Sequence, residues 1–438
     1  MKYHIVVLGC QMNISDSERV RALFEKLGYT FTESEDEADI LGVIACSVRQ
    51  RAIDKVYARI HKWNKMKRKQ ERNILTFLSG CVLESDEKKF LKTFDFVFKM
   101  GDLDKLPDLI SNYGVTMPGN LKNRNNLTDF WHIDPQYANN FDAYVPIQNG
   151  CNNFCTYCAV PYTRGRELSR SSQDIISEVK SLIDRGYKQI TLLGQNVNSY
   201  GSDKNGEEIS FNQLLTKIGE YGDSSGKEFL LYFTAPHPKD FNEDLLYTIK
   251  KYKCLANWVH FPIQSGDNQI LKKMNRNYTV EEYEKSVNKI REILPEATLF
   301  TDIIVGFTGE TEEAFLNTKK AMEKFLYNMA YIAIYSPRPG AQSHKWDDDV
   351  PLEEKKERLH RLSDVMQEKS LEYNKNLLGK NMRILLTSLD RKGEYYQGVT
   401  EGKIVTRVKK GEENLVGQFV NVKISEIAPM SIEGVLVE

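Results

Sequence analysis

The sequence predicts an α/β protein in three parts: an N-terminal doubly wound parallel sheet, a central open partial (β/α) barrel of the TIM type, and a small C-terminal antiparallel β-barrel. Three observations lead there. Short apolar runs alternate with helix-patterned stretches at the start of the chain, and six strand-like runs recur from Tyr144 onward with room for helices between them. Short strands with Gly-containing turns fill the last segment. At 438 residues the chain exceeds one ordinary domain and can bury more than one core.

In the first part the apolar runs are "YHIVVLGC", "ADILGVIAC" and "NILTFLSGC", with "DSERVRALFEKLGY" and a second long helix between them. Wholly apolar strands separated by helices mark a sheet covered on both faces. Residues 113–141 lose periodicity and gather Asn, Pro and Gly, as a linker does. The central runs are "YVPIQN", "QITLLGQN", "EFLLYFT", "WVHFPIQS", "LFTDIIVGF" and "MAYIAIYS". In a barrel of this kind functional groups sit at the carboxyl ends of the strands. A charged helix then leads to "MRILLTSL", "EYYQGVT", "KIVTRVKK" and "QFVNVKISEIAPMSIEGVLVE", a small barrel of the oligonucleotide-binding kind. The expected boundaries are 1–112, a linker at 113–141, 142–375 and 376–438.

Sixty basic against sixty-one acidic residues neither demand nor exclude a nucleic-acid partner. No stretch has the length and apolarity of a membrane span, and "MKYHIVVLGCQMNISDSE" turns polar too early for a signal peptide, so a cytoplasmic protein without a membrane partner is expected. Seven cysteines, an odd number, in a reducing compartment point toward metal ligands or catalysts rather than disulfides.

"PIQNGCNNFCTYCAVPYTRGR" places Cys151, Cys155 and Cys158 in one loop. A closed zinc site needs four ligands, yet His132 lies well upstream and Cys254 far downstream. Three thiolates at this spacing can hold three corners of a 4Fe–4S cluster and leave the fourth iron open to a small-molecule chelate. Three unrelated thiols, or a zinc site completed from elsewhere, are the alternatives. Cys10, Cys46 and Cys81 each end an apolar strand. Ligands bind beyond such strand ends in open parallel sheets, so these three form a candidate second cluster, against a reading of plain core packing. Cys254 has no such setting and reads as an ordinary thiol.

The loop spacing resembles that of the radical S-adenosylmethionine superfamily, whose cofactor binds the open iron through its amino and carboxylate groups. Over the whole chain, "GCQMNISDSERV", "CSVRQRA", "GCNNFCTYCAVPYTRGRELSR" and "LLGQNVNSYG" are similar to the methylthiotransferases. Within them the match is to the tRNA-2-methylthio-N6-dimethylallyladenosine synthase branch. Sister branches, acting on threonylcarbamoyladenosine in tRNA or on a ribosomal-protein aspartate, differ after the first cysteine and at "QNVNSYG". Departures occur at Ala45 (Thr in the branch), in "GCVLES", and at Thr308 (commonly Pro), and none removes a ligand.

The resemblance implies two 4Fe–4S clusters and S-adenosyl-L-methionine. Cys151, Cys155 and Cys158 match the radical-generating cluster's ligands, and Cys10, Cys46 and Cys81 those of the sulfur-delivering one. One S-adenosylmethionine methylates that sulfur, and a second supplies the radical that activates the base carbon. The substrate is tRNA bearing N6-isopentenyladenosine, the enzyme a monomer with a C-terminal TRAM domain, and the electron donor a protein such as flavodoxin or ferredoxin.

Further residues fall at strand ends where such a barrel meets its cofactor: Gln195, Asn196, Gln264, Ser265, Gly266, Val305 and Gly306, with Tyr157 inside the loop. Simple turn chemistry is the alternative for each. Arg164 and Arg166 suit the cofactor carboxylate, a tRNA phosphate, or a structural ion pair. Lys273, Arg276 and Tyr278 are candidates for the same rim. The basic run 61–72, which includes Trp63, reads as a solvated face or an RNA contact, and the terminal barrel offers aromatics and bases. Tyr335 to Ser343 reads as a rigid loop bridging the core to that barrel, or as a turn explained by tertiary packing alone.

Overall fold

The computed structural model describes residues 1–47, 50–70, 73–113 and 130–437. Most of the expected linker lies outside these residues, as do the last two positions of the basic run and two of the positions following Cys46.

The first part runs β1 (Lys2–Leu8), α1 (Gln11–Lys26), β2 (Thr30–Phe31), β3 (Ile40–Cys46), α2 (Gln50–Gln70), β4 (Leu75–Cys81), α3 (Glu84–Phe90), β5 (Phe96–Val97) and α4 (Leu106–Asn112). The strands form one parallel sheet in the order β2-β1-β3-β4-β5. Every position of β3 and β4 is buried, which explains why these runs are apolar throughout rather than alternating. Separate cores form on helices and strands, one around Tyr3, Phe24 and Phe77, the other around Val43, Ile60 and Trp63. The strand order reverses between β1 and β3, the position where open sheets of this kind receive ligands.

The central part holds β6 (Asp142–Pro146), β7 (Gln148–Asn149), α5 (Val160–Thr163), β8 (Leu168–Ser169), α6 (Ser172–Asp184), β9 (Gln189–Leu193), α7 (Phe211–Ser225) and β10 (Leu230–Phe233). It continues through α8 (Glu243–Lys251), β11 (Trp258–His260), α9 (Asn268–Lys273), α10 (Val280–Ile293), β12 (Thr298–Val305), α11 (Glu312–Phe325), β13 (Met329–Ile334) and α12 (Leu352–Lys375). Two parallel sheets, β6-β9-β10 and β11-β12-β13, join through a bridge between Leu231 and Leu255 into one open arc. Its inner core includes Val145, Ile190, Leu192, Val259 and Ile303, covered by Ile183, Leu215 and Phe315 of the helices. All six runs read from the sequence become strands of this arc.

The last part is β14 (Asn381–Leu389), β15 (Tyr395–Thr400), β16 (Val405–Lys409), β17 (Phe419–Ala428) and β18 (Ser431–Leu436), closed in the order β14-β15-β16-β18-β17. Four of its pairings are antiparallel, and β16 with β18 is parallel. Five strands cannot alternate in direction around a closed ring, so one parallel seam is unavoidable.

This barrel docks on the amino ends of the arc's strands. Tyr232 Oη donates to the Glu401 carbonyl (2.9 Å), Thr298 Oγ1 to that of Gly402 (2.8 Å), and Phe419 packs with Leu230, Trp258 and Phe300. The carboxyl ends are thereby left to the loops. Contrary to the sequence reading, Arg338 carries the Tyr335–Ser343 loop to the N-terminal part, where it meets Asp86 (3.2 Å) and Gln50. Among the described residues no helix is long and apolar enough to cross a membrane.

Candidate active site

Cys46 and Cys81 are the last residues of β3 and β4 and pair in register, while Cys10 stands between β1 and the first turn of α1. Three adjacent strands thus have a cysteine at or just beyond their carboxyl ends. Asn13, fully buried in that first turn, ties them together. Its Oδ1 accepts from the Cys10 backbone N–H (3.3 Å), and its Nδ2 donates to the Ala45 carbonyl (3.2 Å) and lies 3.8 Å from Cys81 Sγ. Gly80 before Cys81 has φ +107°, and a Cβ there would sit 2.4 Å from the Ala45 oxygen. A side chain at that position would push β4 off β3 where the two cysteines meet.

The second trio lies in the loop between β7 and β8, whose two-residue antiparallel pair closes its base. Gly150 has φ +77°, and a Cβ would meet the Arg166 carbonyl at 2.1 Å, so glycine lets the loop fold back on itself before Cys151. Phe154 holds φ +49°, which is costly for a side chain with a Cβ. Asn275 Nδ2 secures that turn by donating to the carbonyls of Asn153 (3.0 Å) and Phe154 (3.2 Å). Thr156 completes the clamp: its N–H donates to the Met274 carbonyl and its hydroxyl to that of Lys273.

Behind the loop, Arg276 Nη1 lies 3.5 Å from both Cys155 Sγ and Tyr157 Oη, and its Nε donates to Tyr278 Oη (3.1 Å). Burial raises the Cys151 thiol, with Cys155 adding to the shift, and pushes that of Cys158 up to about 12, with Cys155 and Cys151 adding to it. Burial together with repulsion from neighbouring sulfurs disfavours free thiolates at Cys151 and Cys158, whereas a metal centre offsets both. The donor set therefore fits a thiolate-bound cluster. Among the described residues no three His, Cys, Asp or Glu side chains converge on a single ion. A cubane spreads its thiolates over separate irons and needs no such convergence.

Arg164 joins the two trios. Its buried guanidinium donates to Cys81 Sγ (2.8 Å) through Nε, to Asp16 Oδ2 (2.6 Å) and to Asn149 Oδ1 (3.0 Å). Of its three sequence readings, the structural ion pair is the one observed. Arg166 is exposed and lies over the Phe154 ring, 4.3 Å from its centroid.

The strand-end residues divide. Gln195, after β9, has a buried Oε1 without a partner, and Gln264 adopts φ +70° beside β12. Asn196 is committed to Asp240 and the His237 N–H, and Ser265 to Thr318 and the Asp267 N–H, so for these two side chains turn chemistry accounts for the polar atoms. Val305 is wholly buried, its carbonyl accepting from Tyr335, and the Gly306 N–H donates to Glu310, which Arg358 holds. Tyr157 is half-buried against Phe307.

Trp63 belongs to the core rather than to an RNA face, because it occupies the inward side of α2 while Lys62 pairs with Glu35 and Lys67 with Asp95. Sequence reasoning missed Asn13, Asp16, Asn275 and His237. The last has its Nε2 buried without a partner, and burial, then Arg276 and Lys239, push it down to about 2, so it is neutral. The first two stand in the "NISDSERV" stretch, where a buried helix face carrying polar residues was the available signal.

Over 446 aligned residues the chain is 40% identical to the tRNA-2-methylthio-N(6)-dimethylallyladenosine synthase of Thermoanaerobacter pseudethanolicus, covering 100% of this chain and 93% of that one. This chain belongs to the tRNA-2-methylthio-N6-dimethylallyladenosine synthase family. The Clostridium perfringens (strain SM101) protein of the same name is 39% identical over 99% of this chain and 97% of its own length. Residues 145–322 match the model of the radical SAM superfamily, and residues 2–100 that of the uncharacterized protein family UPF0004. In fold the chain is similar to the radical S-adenosylmethionine methyltransferase TsrM of Kitasatospora setae, solved with tryptophan and a cofactor analogue. The TM-score is 0.57 at 14% identity, covering 92% of this chain and 80% of that one. Membership of the radical SAM superfamily brings with it a 4Fe–4S cluster and S-adenosylmethionine.

Proposed function

We propose that this enzyme methylthiolates carbon 2 of N6-isopentenyladenosine beside the anticodon of tRNA, giving 2-methylthio-N6-isopentenyladenosine. The observation that carries the reading is that one cysteine trio stands at or just beyond the carboxyl ends of β1, β3 and β4 and the other in the β7–β8 loop that follows the carboxyl end of β6, with Arg164 bonded to both Cys81 and Asn149.

Cys151, Cys155 and Cys158 hold the radical-generating 4Fe–4S cluster, and Cys10, Cys46 and Cys81 a second one. When bound, these groups supply reductive cleavage of S-adenosylmethionine and a transferable sulfur. The chain's own residues position and enclose. Three thiolates leave one corner of the loop cluster without a protein ligand. Tyr157, Gln195, Gln264, Val305 and Gly306 wall the adjoining space, with Asn196 and Ser265 fixing the turns that present them. The neutral His237 and the buried Arg276 keep that wall rigid, and Arg166 remains exposed for a phosphate.

The reading divides the chain into a methylthiotransferase part (1–112), a linker (113–141), a radical SAM core (142–375) and a TRAM domain (376–438) that grips tRNA. The end of α4 at Asn112 and of α12 at Lys375 suits these limits. The protein works as a cytoplasmic monomer supplied by a donor such as flavodoxin or ferredoxin.

The test is anaerobic turnover of reconstituted enzyme with S-adenosylmethionine, a reductant and tRNA carrying isopentenyladenosine. Methylthiolated nucleoside in the digest supports the assignment, and S-adenosylmethionine cleavage with unaltered tRNA opposes it.

A further inference from the structure

Arg164 belongs by sequence to the loop of Cys151, Cys155 and Cys158, yet its guanidinium is spent on the other trio. Nε donates to Cys81 Sγ at 2.8 Å and one terminal nitrogen to Asp16 Oδ2 at 2.6 Å. The other terminal nitrogen returns to Asn149 Oδ1 at 3.0 Å, on the strand that opens its own loop. Its side chain is 6% exposed and that of Asp16 is fully buried. Asp16 sits on α1, one turn from Asn13, whose amide reaches the Asp16 carboxylate (3.4 Å) and lies near Cys81. One planar fork thus fixes a sulfur of one trio, a carboxylate of the helix behind it, and the base of the opposite loop. A lysine has the charge but cannot make these contacts together.

A buried guanidinium with a matched carboxylate would be an expensive way merely to fasten two parts of the chain, since the desolvation of both ions offsets much of their attraction. Donation to a sulfur has a different consequence. Hydrogen bonds and positive charge beside a cluster's sulfur ligand favour its more negative, reduced form and set the direction of the ligand.

We propose that Arg164 is a positioning residue for the second cluster: from the radical loop it orients Cys81 and raises the reduction potential of the group that Cys10, Cys46 and Cys81 hold. This rests on the reading of those three cysteines as a ligand set. It makes the state of the sulfur-delivering site sensitive to the folding of the loop where the radical arises.

The experiment uses the full chain with Cys151, Cys155 and Cys158 replaced by alanine, so that any remaining iron belongs to the other trio. Iron and sulfide content, the electron paramagnetic resonance spectrum of the reduced protein and the midpoint potential are measured with Arg164, R164K and R164Q. The expected result is retained iron in all three, a changed spectrum, and a potential that falls in R164Q and falls less in R164K. Should R164Q not fold, R164K alone shows the shift, because it retains the charge and loses the fork. An unchanged spectrum and potential in a variant that keeps its iron overturns the role of Arg164 while leaving the ligand set intact. Absence of iron with Arg164 in place, when the unmodified chain binds one cluster, overturns the ligand set itself.

Discussion

Cys46 and Cys81 stand opposite each other in register at the carboxyl ends of β3 and β4, in a stretch where every residue of both strands is buried. The pairing of their strands, rather than any local motif, brings their sulfurs together. Replacing Cys46 with Ala removes a proposed ligand from the second trio without touching the loop trio. Methylthiolation is expected to stop while S-adenosylmethionine cleavage continues, whereas C155A stops both. Cleavage product and modified nucleoside, quantified from one reaction, check this.

Asn275 holds the left-handed turn at Phe154 through two carbonyls. Leaving these partly buried carbonyls without their donor costs up to about 1–3 kcal/mol. N275A is expected to loosen the cysteine loop, lowering iron retention and S-adenosylmethionine cleavage, with a smaller effect on the iron proposed for the N-terminal trio. Iron content of N275A with and without the loop cysteines separates the two.

Trp63 lies in a run dense with lysine and arginine but is completely buried. Truncation to Ala should cost roughly 3–5 kcal/mol, as for other large aromatic cores. Thermal unfolding is the check: a marked fall in Tm is expected, and weaker tRNA binding with unchanged stability would contradict the core assignment.

Lys403 reaches from the terminal barrel to Gln189 and lies over the Tyr232 ring, and burial holds it down to about 8, with Asp142 opposing. Between pH 8 and the ordinary lysine range the unfolded chain carries this proton and the folded chain does not. Stability therefore rises with pH across that window and falls as pH drops through it toward 8. K403M should flatten that rise, measured as the difference in unfolding free energy between the two proteins from pH 7.5 to about 10. Parallel curves would mean that Lys403 is not buried at this junction.

The three-part architecture was legible because each part declares its own period: apolar runs for the covered sheet, strand and helix spacing for the arc, short alternating runs for the barrel. The grouping of the cysteines was legible because strand ends in a parallel sheet are neighbours and close spacing keeps thiols in one loop. Arg164 was not, since its reading depended on which residue 83 positions away it would meet. Nor was Asn13, whose reach to the Ala45 carbonyl and to Cys81 Sγ exists only because β1, β3 and β4 are neighbours. The Tyr335–Ser343 loop meets the N-terminal part rather than the terminal barrel for the same reason: proline and glycine announce a rigid turn but not its direction, and packing against Asp86 and Gln50 decides it. For Ser265 and Asn196, sequence gave the place at a strand end but not the local partner that consumes the polar atom.

The most direct test of the central claim is mass spectrometry of tRNA nucleosides from cells with and without this gene. Loss of the methylthio mark with accumulation of plain isopentenyladenosine is the predicted result. An unchanged 2-methylthio-N6-isopentenyladenosine level, with methylthiolation lost instead from threonylcarbamoyladenosine or from a ribosomal protein, would contradict it.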